Sequence, residues 1–257
     1  MSYTDTNGLS LYYEAHGEGE PLVLLHGGLG SVEMFAGLIP QLTGRRLIAV
    51  DLQGHGRTAD VDRPFRVETM ADDVAGLIAE LGGTADVLGY SLGGEVATRL
   101  AIQHPERVRN LIVISAAFRR DGNFPEIVAQ FDQMGPGFAE MLKQSPVYEL
   151  YESVAPRPED FETFVAKTTE MLKVDHDWSA EVPAITARTL LVFADADSIR
   201  PQHMVEFYGL LGGGQRDAGW DGSNKPTNQL AILPGTTHYD LLESPLLAPV
   251  VNGFLTQ

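Results

Sequence analysis

The sequence predicts an α/β fold in which helices cover both faces of a mainly parallel sheet. Short, fully apolar runs such as Leu22–Leu25 alternate along the chain with longer segments whose apolar residues recur at helical spacing, such as 67–81. Strands that alternate with helices are joined by right-handed crossovers, which make the strands parallel. The 257 residues are 44% hydrophobic and 21% charged, which is ordinary for a globular protein with a sizeable core.

The first part of the chain adds an antiparallel hairpin to this pattern. Asn7-Gly8 lies between two short alternating runs and is a strong signal for a tight hairpin turn. The strand at 22–25 follows, and Ser31 is placed to cap a helix that runs to Leu42. The alternation then continues with predicted strands at 46–50, 85–88 and 111–115 and predicted helices at 67–81 and 95–103.

Residues 117–187 interrupt the alternation. They contain no convincing buried strand and are predicted to form several short helices separated by prolines. We expect a helical cap that lies over the sheet and is inserted before the penultimate strand. Most of its aromatic and methionine side chains should form the cap's own core, and a minority should line a pocket beneath it. The candidate substrate-binding residues are Phe131, Met134 and Trp178 of the cap, together with Leu29 and Tyr90.

The alternation resumes after the cap with a strand at 189–194, a helix at 201–211, a last strand at 230–233 and a closing helix at 245–254. Residues 212–228 form a Gly- and Asp-rich connection that is longer than usual and contains Trp220. This connection is either a surface hairpin or a mobile loop, and it is a candidate contact for a partner or for a homodimer. The predicted organisation is one domain over 1–257, with a core at 1–116 and 188–257 and a cap at 117–187.

The composition excludes several classes of protein. The absence of cysteine rules out disulfides, thiolate metal sites and cysteine nucleophiles, and no His, Asp and Glu cluster has metal-site spacing. The net charge of −17 makes nucleic acid an unfavourable partner. No apolar run approaches the length of a membrane span, and the N-terminus lacks the pattern of a signal peptide. Dinucleotide and Walker motifs are also absent. We therefore expect a cytoplasmic protein that needs no cofactor and does not bind membranes.

A serine at a sharp turn is the feature around which the chain is organised. The apolar run 85–88 is followed by Gly89-Tyr90-Ser91-Leu92-Gly93 and then by a helix. A turn this tight strains the serine backbone and requires small neighbours, a need that Gly89 and Gly93 meet. It lifts the Ser91 hydroxyl above the sheet and points helix N–H groups at whatever the hydroxyl attacks. The alternative is a glycine-rich turn in which the serine only caps the helix.

A serine nucleophile needs a base, usually a histidine oriented by a carboxylate. Reactive groups of an open parallel sheet collect beyond the carboxyl ends of its strands. This rule selects Ser91 after one strand, Asp197 after the penultimate strand and His238 after the last one.

The chain resembles the α/β-hydrolase family in four features. These are the order of Ser, Asp and His, the turn at Ser91, the His26-Gly27-Gly28 segment and the interrupted alternation of strands and helices. The resemblance covers nearly the whole chain and is closest to small cap-bearing esterases, lactonases and carbon–carbon-bond hydrolases. It implies that the acid is the aspartate a few residues before a proline, which fits Asp197 in Asp197-Ser198-Ile199-Arg200-Pro201. Asp195 is the alternative acid, and either carboxylate could instead be a turn or capping group.

The remaining histidines are expected to have other roles. The resemblance implies that His26 braces the loop beside the oxyanion hole and that His55 lies in a structural turn. His104 and His203 lie on predicted helices and are expected at the surface, and His176 lies in the cap.

An oxyanion formed by attack on a carbonyl needs two N–H donors. One should be the backbone of Leu92, directly after the nucleophile. The other should come from the loop after the 22–25 strand, either Gly28 or, as the alternative, Leu29. The glycines of this loop could instead serve only to make a tight turn.

These residues predict a serine hydrolase that acts as a carboxylesterase on small, mainly apolar esters through an acyl-enzyme. Aspartate at position 91, as in haloalkane dehalogenases and epoxide hydrolases, is absent. A lactonase, a hydrolase of carbon–carbon bonds in vinylogous diketones and a perhydrolase share the same triad and remain alternatives. A non-catalytic receptor for a small ligand on the same fold is the alternative from another class.

Overall fold

The computed structural model describes residues 2–135 and 137–256, so positions 1, 136 and 257 of the predicted domain lie outside the described residues. A single eight-stranded sheet runs through the molecule in the order β1-β2-β4-β3-β5-β6-β7-β8. Its strands are β1 (Ser2–Thr6), β2 (Leu9–His16), β3 (Glu20–Leu25), β4 (Arg45–Val50), β5 (Ala85–Tyr90), β6 (Val108–Ile114), β7 (Arg188–Ala196) and β8 (Gln229–Thr237).

The sheet confirms the predicted mixture of an antiparallel hairpin and parallel strands. β1 pairs antiparallel with β2, and β2 pairs antiparallel with β4. All remaining neighbours are parallel. Asn7 and Gly8 both have positive φ, 49° and 78°, which is the geometry that a two-residue turn with the right twist requires.

Helices pack on both faces of the sheet, which explains why its central strands are apolar throughout. Val23 and Leu25 belong to one buried cluster, whereas Leu22 and Leu24, which point to the other face, belong to a second. The α-helices are α1 (Val67–Glu80), α2 (Leu92–Gln103), α3 (Pro125–Gln133), α4 (Gly137–Leu142), α5 (Pro146–Val154), α6 (Phe161–Leu172), α7 (Pro201–Leu210) and α8 (Leu247–Leu255).

The predicted helix from Ser31 to Leu42 is wrong. The structure has two short 3₁₀ turns there, Val32–Phe35 and Ile39–Gln41, and the Ser31 side chain caps neither of them. Gly37 weakens a helix at this point, and Pro40 cannot donate the backbone hydrogen bond that a continuous α-helix would need.

Four helices, α3 to α6, lie between β6 and β7, where the cap was predicted. The 212–228 connection contains turns and no paired strand, and the Trp220 side chain at its surface is fully exposed. The connection is therefore a surface loop and not a hairpin.

His203 departs from its predicted surface position. It lies on α7 but is buried, and its ring stacks on Phe118 with centroids 4.1 Å apart. The Phe118 N–H donates to His203 Nε2 over 3.2 Å. Burial lowers the pKa of this imidazole to about 4, so the ring is neutral near pH 7 and serves as a buried packing group. Helical periodicity could not reveal this burial, because Phe118, which packs on His203, lies 85 residues earlier in the chain.

Candidate active site

The turn between β5 and α2 holds Ser91 in a strained conformation, with φ 53° and ψ −119°. The two flanking glycines are required by their surroundings. A Cβ atom on Gly89 would lie 1.9 Å from the Gly93 carbonyl oxygen, and one on Gly93 would lie 2.0 Å from the Leu25 carbonyl oxygen. These contacts are with backbone, which cannot move aside, so strand and helix approach as closely as they do only because both positions are glycine.

Gly93→Ala is therefore expected to destabilise the protein by at least about 4 kcal/mol, because the new methyl group must displace β3 or α2. Urea unfolding of the soluble protein measures this loss, or the variant accumulates as aggregate. Gly37→Ala is the matched control, since nothing lies within 4 Å of a Cβ atom built there. Equal stability of the two variants would contradict the packing described for this turn.

Ser91, His238 and Asp197 form one hydrogen-bonded chain at the carboxyl ends of the strands. The Ser91 hydroxyl lies 3.1 Å from His238 Nε2, and His238 Nδ1 lies 3.1 Å from Asp197 Oδ1. Because Nδ1–H donates to a carboxylate, the neutral ring presents Nε2 as an acceptor for the serine proton. The residues are 147 and 41 positions apart in the chain, and the sheet brings them together.

The Asp197 carboxylate is buried, and both of its oxygens accept hydrogen bonds. Oδ2 accepts hydrogen bonds from the Ser115 hydroxyl and, over 3.0 Å, from the Ala194 N–H. Burial acts to raise the pKa of Asp197, but the hydrogen bonds from His238, Ser115 and Ala194 outweigh it and hold this pKa below its ordinary value. Asp197 therefore stays ionised at neutral pH and favours a proton on His238 Nδ1.

Two serines that sequence reasoning missed support this carboxylate and the imidazole. Ser115 directly follows β6 and has a positive φ of 48°, a conformation that turns its hydroxyl toward Asp197. Ser198 Oγ lies 3.0 Å from His238 Nδ1 and 3.4 Å from Asp197 Oδ1. The rule that selected Ser91 and Asp197 could have found Ser115, because it too lies at the carboxyl end of a strand.

Asp195, the alternative acid, is exposed, and its hydrogen bonds are with backbone and not with His238. Its carboxylate accepts hydrogen bonds from the N–H groups of Gly235 and Thr236, which are 3.0 and 3.1 Å away. Asp195 thus fastens the start of the loop that carries His238.

The loop after β3 lies directly against the nucleophile. A Cβ atom on Gly27 would be 3.4 Å from the Ser91 Cβ, and one on Gly28 would be 3.9 Å from the Leu92 side chain. The N–H groups of Gly28 and Leu29 donate to no other group in the described part of the chain. Leu92 is the first residue of α2, so its N–H is one of the donors that a helix leaves free. The geometry thus offers Gly28 and Leu92 as a donor pair, with Leu29 adjacent.

His26 holds this loop in place. Leu52 N–H donates to His26 Nε2 over 3.1 Å, so the proton is on Nδ1, which donates to the Gly27 carbonyl 2.8 Å away. Burial lowers the pKa of His26 to about 4, which keeps the ring neutral and this pattern intact at neutral pH.

A cavity of about 330 Å³ opens above Ser91 and His238, between the sheet edge and helices α3 and α6. All five predicted substrate-binding residues line it: Leu29, Tyr90, Phe131, Met134 and Trp178. Tyr90 has a further contact, because its hydroxyl donates to the His238 carbonyl oxygen. The phenol therefore also fixes the histidine loop.

Within residues 2–135 and 137–256, no group of three or more His, Asp and Glu side chains is arranged to hold a metal ion. The helices of this part of the chain are all too short or too polar to cross a bilayer.

Three features together define the class of α/β hydrolases. They are a sheet of this topology, a serine at a strained strand-to-helix turn, and an acid and a histidine that follow it at later strand ends. A family model described as alpha/beta hydrolase fold matches residues 20–147. Residues 20–147 thus match the α/β-hydrolase family, and the chain has the α/β-hydrolase fold.

Several curated relatives of this chain are esterases. It is similar to the pimeloyl-(acyl-carrier protein) methyl ester esterase of Shewanella woodyi, with 29% identity over 79% of this chain and 88% of that protein. It is 36% identical to the enzyme of the same name from Aeromonas hydrophila, over 50% of this chain and 53% of that protein. The match to this second relative thus spans about half of its length. A thermophilic esterase from Thermogutta terrifontis has the same fold, with a TM-score of 0.70, 24% identity and coverage of 99% of this chain and 96% of that chain. The relatives support an esterase function.

Proposed function

We propose that this protein is a carboxylesterase that hydrolyses small, mainly apolar esters through an acyl-enzyme on Ser91. The observation that carries the proposal is the hydrogen-bonded chain from Ser91 through His238 to Asp197 at the base of the cavity. The esterase relatives support the same reaction class.

The reaction begins when His238 Nε2 takes the Ser91 proton and the serine oxygen bonds to the ester carbonyl carbon. The carbonyl oxygen becomes an oxyanion, which accepts hydrogen bonds from the N–H groups of Gly28 and Leu92. Each such donor contributes about 3–4 kcal/mol of transition-state stabilisation. The protonated His238 then gives its proton to the leaving alkoxide, and an acyl-enzyme remains.

Water completes the reaction by the same steps. His238 Nε2 removes a proton from the water molecule, whose oxygen attacks the acyl carbon, and Ser91 leaves with that proton. Asp197 holds the ring in the tautomer that both halves of the reaction need. It also stabilises the imidazolium that forms in each half.

The cavity sets the class of substrate. Its volume of about 330 Å³ suits a short acyl chain and a small alcohol, and Leu29, Phe131, Met134 and Trp178 give it apolar walls. A small-molecule ester is therefore the partner that we propose. We also propose a cytoplasmic location, which a sequence without cysteine fits.

A substrate panel tests the proposal. We expect p-nitrophenyl acetate and butyrate to be hydrolysed with higher kcat/KM than the decanoate, because the decanoyl chain and the nitrophenyl group together would need nearly the whole cavity of about 330 Å³. A fluorophosphonate probe should label the wild-type protein covalently. Butyrolactone and a vinylogous diketone are included, and faster turnover of either would replace esterase by lactonase or carbon–carbon hydrolase. A protein that neither reacts with the probe nor turns over any substrate would be a ligand-binding member of the fold.

A further inference from the structure

Glu95 is an acidic residue of the cavity that the proposed reaction does not use. It lies one helical turn after the nucleophile on α2, where its N–H donates to the Ser91 carbonyl oxygen over 3.0 Å. Helical side chains point back toward the N-terminus, so the carboxyl group extends toward the end of α2 that carries Ser91. Glu95 lines the same cavity as Ser91 and His238.

The Glu95 carboxyl group has no partner of its own. It forms no hydrogen bond or ion pair with any residue that the structure describes. Burial raises the pKa of Glu95, against the opposing effect of His176 and His238. Glu95 is only partly buried and lines the cavity, so its carboxyl group is open to the molecule or the water that fills the cavity. Glu95 is therefore placed to accept a hydrogen bond from whatever occupies the cavity.

The charges around Glu95 are compatible with a neutral hydrogen-bond donor as the ligand group. Glu68 also lines the cavity, and Arg66 and Arg120 line it with the opposite sign. The Arg120 guanidinium is paired with Asp132 at 2.7 Å. Asp132 already balances Arg120, so one acidic side chain among Glu68, Glu95 and Asp132 is left without a basic counterpart, and the net charge around the lining is small. A hydroxyl group can donate to a carboxylate without adding charge.

His176 supplies a second reason for a hydroxyl. This residue lines the same cavity, and its Nε2 is buried without a hydrogen-bond partner in the described part of the chain. A hydroxyl oxygen has lone pairs as well as a proton, so one group can serve a carboxylate and an imidazole N–H together.

We propose that Glu95 is a specificity-determining residue, which accepts a hydrogen bond from a hydroxyl group of the substrate and so selects hydroxylated esters over their unsubstituted counterparts. The inference rests on the proposed ester hydrolysis at Ser91 and adds a substrate class to it. Hydrogen bonds to charged groups stabilise by roughly 1.5–3 kcal/mol, so the preference in kcat/KM should be about 10- to 100-fold.

Two matched ester pairs test this proposal in a pH-stat assay of acid release. Methyl 3-hydroxybutanoate is compared with methyl butanoate, and 2-hydroxyethyl butanoate with propyl butanoate, which place the hydroxyl on the acyl and the alcohol side respectively. We expect the wild type to prefer the hydroxylated member of at least one pair by about 10-fold or more. Glu95→Gln keeps the shape but loses the charge, and it should reduce that ratio several-fold, mainly through KM. Glu95→Leu should bring the ratio close to 1.

The control is Glu126→Leu, which removes one exposed carboxylate at the start of α3, outside the cavity lining. It should leave the ratio unchanged. A wild type without preference in either pair, or a ratio in Glu95→Gln equal to that of the wild type, overturns the inference. Glu95→Gln is isosteric and decides the matter even if Glu95→Leu does not fold. Ser91-dependent hydrolysis of the unsubstituted esters without any preference removes only this inference, whereas no ester hydrolysis at all removes the proposed function itself.

Discussion

Replacement of Ser91 by alanine is expected to lower kcat/KM for p-nitrophenyl acetate by about 10⁴- to 10⁶-fold. The variant keeps the cavity and the oxyanion donors but has no oxygen to form the acyl-enzyme, so only slow attack by water remains. Covalent labelling by the fluorophosphonate probe should disappear completely, as measured by intact-protein mass spectrometry.

The fold should tolerate this change, because Ser91 Oγ contacts His238 and caps no helix. Alanine also enters a site with positive φ, 53°, which already holds a side chain, so no new steric conflict arises. A thermal unfolding midpoint close to that of the wild type confirms that the loss is chemical. Ser223→Ala, in the exposed 212–228 loop, is the control and should keep full activity. A Ser91→Ala protein with wild-type turnover would remove the nucleophile from the mechanism.

Asp197→Asn is expected to reduce kcat by about 10³- to 10⁴-fold while leaving KM nearly unchanged. An amide NH₂ group facing His238 Nδ1 favours the wrong tautomer, with the proton on Nε2, and it cannot stabilise the imidazolium. The amide also inherits the hydrogen bonds that Ser115 and Ala194 donate to the carboxylate, and it can accept them only through its oxygen. The loss should therefore appear in the chemical steps.

Asp195→Asn is the matched comparison, two residues away in the same segment. It weakens the hydrogen bonds to Gly235 and Thr236 at the start of the histidine loop but leaves the Asp197–His238 contact in place. We expect kcat to fall by less than about 10-fold, with a lower thermal midpoint. Steady-state kinetics of both variants decide between the two acids, and a larger loss of kcat in Asp195→Asn would reverse the assignment.

The order of most strands and helices could be predicted from the sequence, and their ends to within a few residues, because these elements depend on neighbouring side chains. The period of apolar residues located α1, and Asn7-Gly8 located the hairpin turn. The 31–42 segment shows where this fails. Its apolar residues permit a helix, but Gly37 and Pro40 divide it into two 3₁₀ turns, of which the first, Val32–Phe35, packs on β3 and β4.

The site was predicted in part, from the rule that reactive groups follow the carboxyl ends of parallel strands. That rule found Ser91, Asp197 and His238, and the structure brings all three together. The rule could also have found Ser115, but it does not show which group its hydroxyl contacts, because that group, Asp197, lies 82 residues later in the chain. It also could not show that the Glu95 carboxyl group enters the cavity without a partner.

The sequence by itself determined the alternating architecture, the glycine-flanked serine turn and the order of Ser91, Asp197 and His238. Each strand, turn and strand end can be recognised from residues that are close together in the chain. Only the tertiary structure decided that Asp197 and not Asp195 faces His238, that His203 is buried against Phe118, and which side chains line the cavity. The physical reason is that local periodicity and turn chemistry act over a few residues. The direction and surroundings of a side chain at a strand end depend on which distant segments the sheet places beside it.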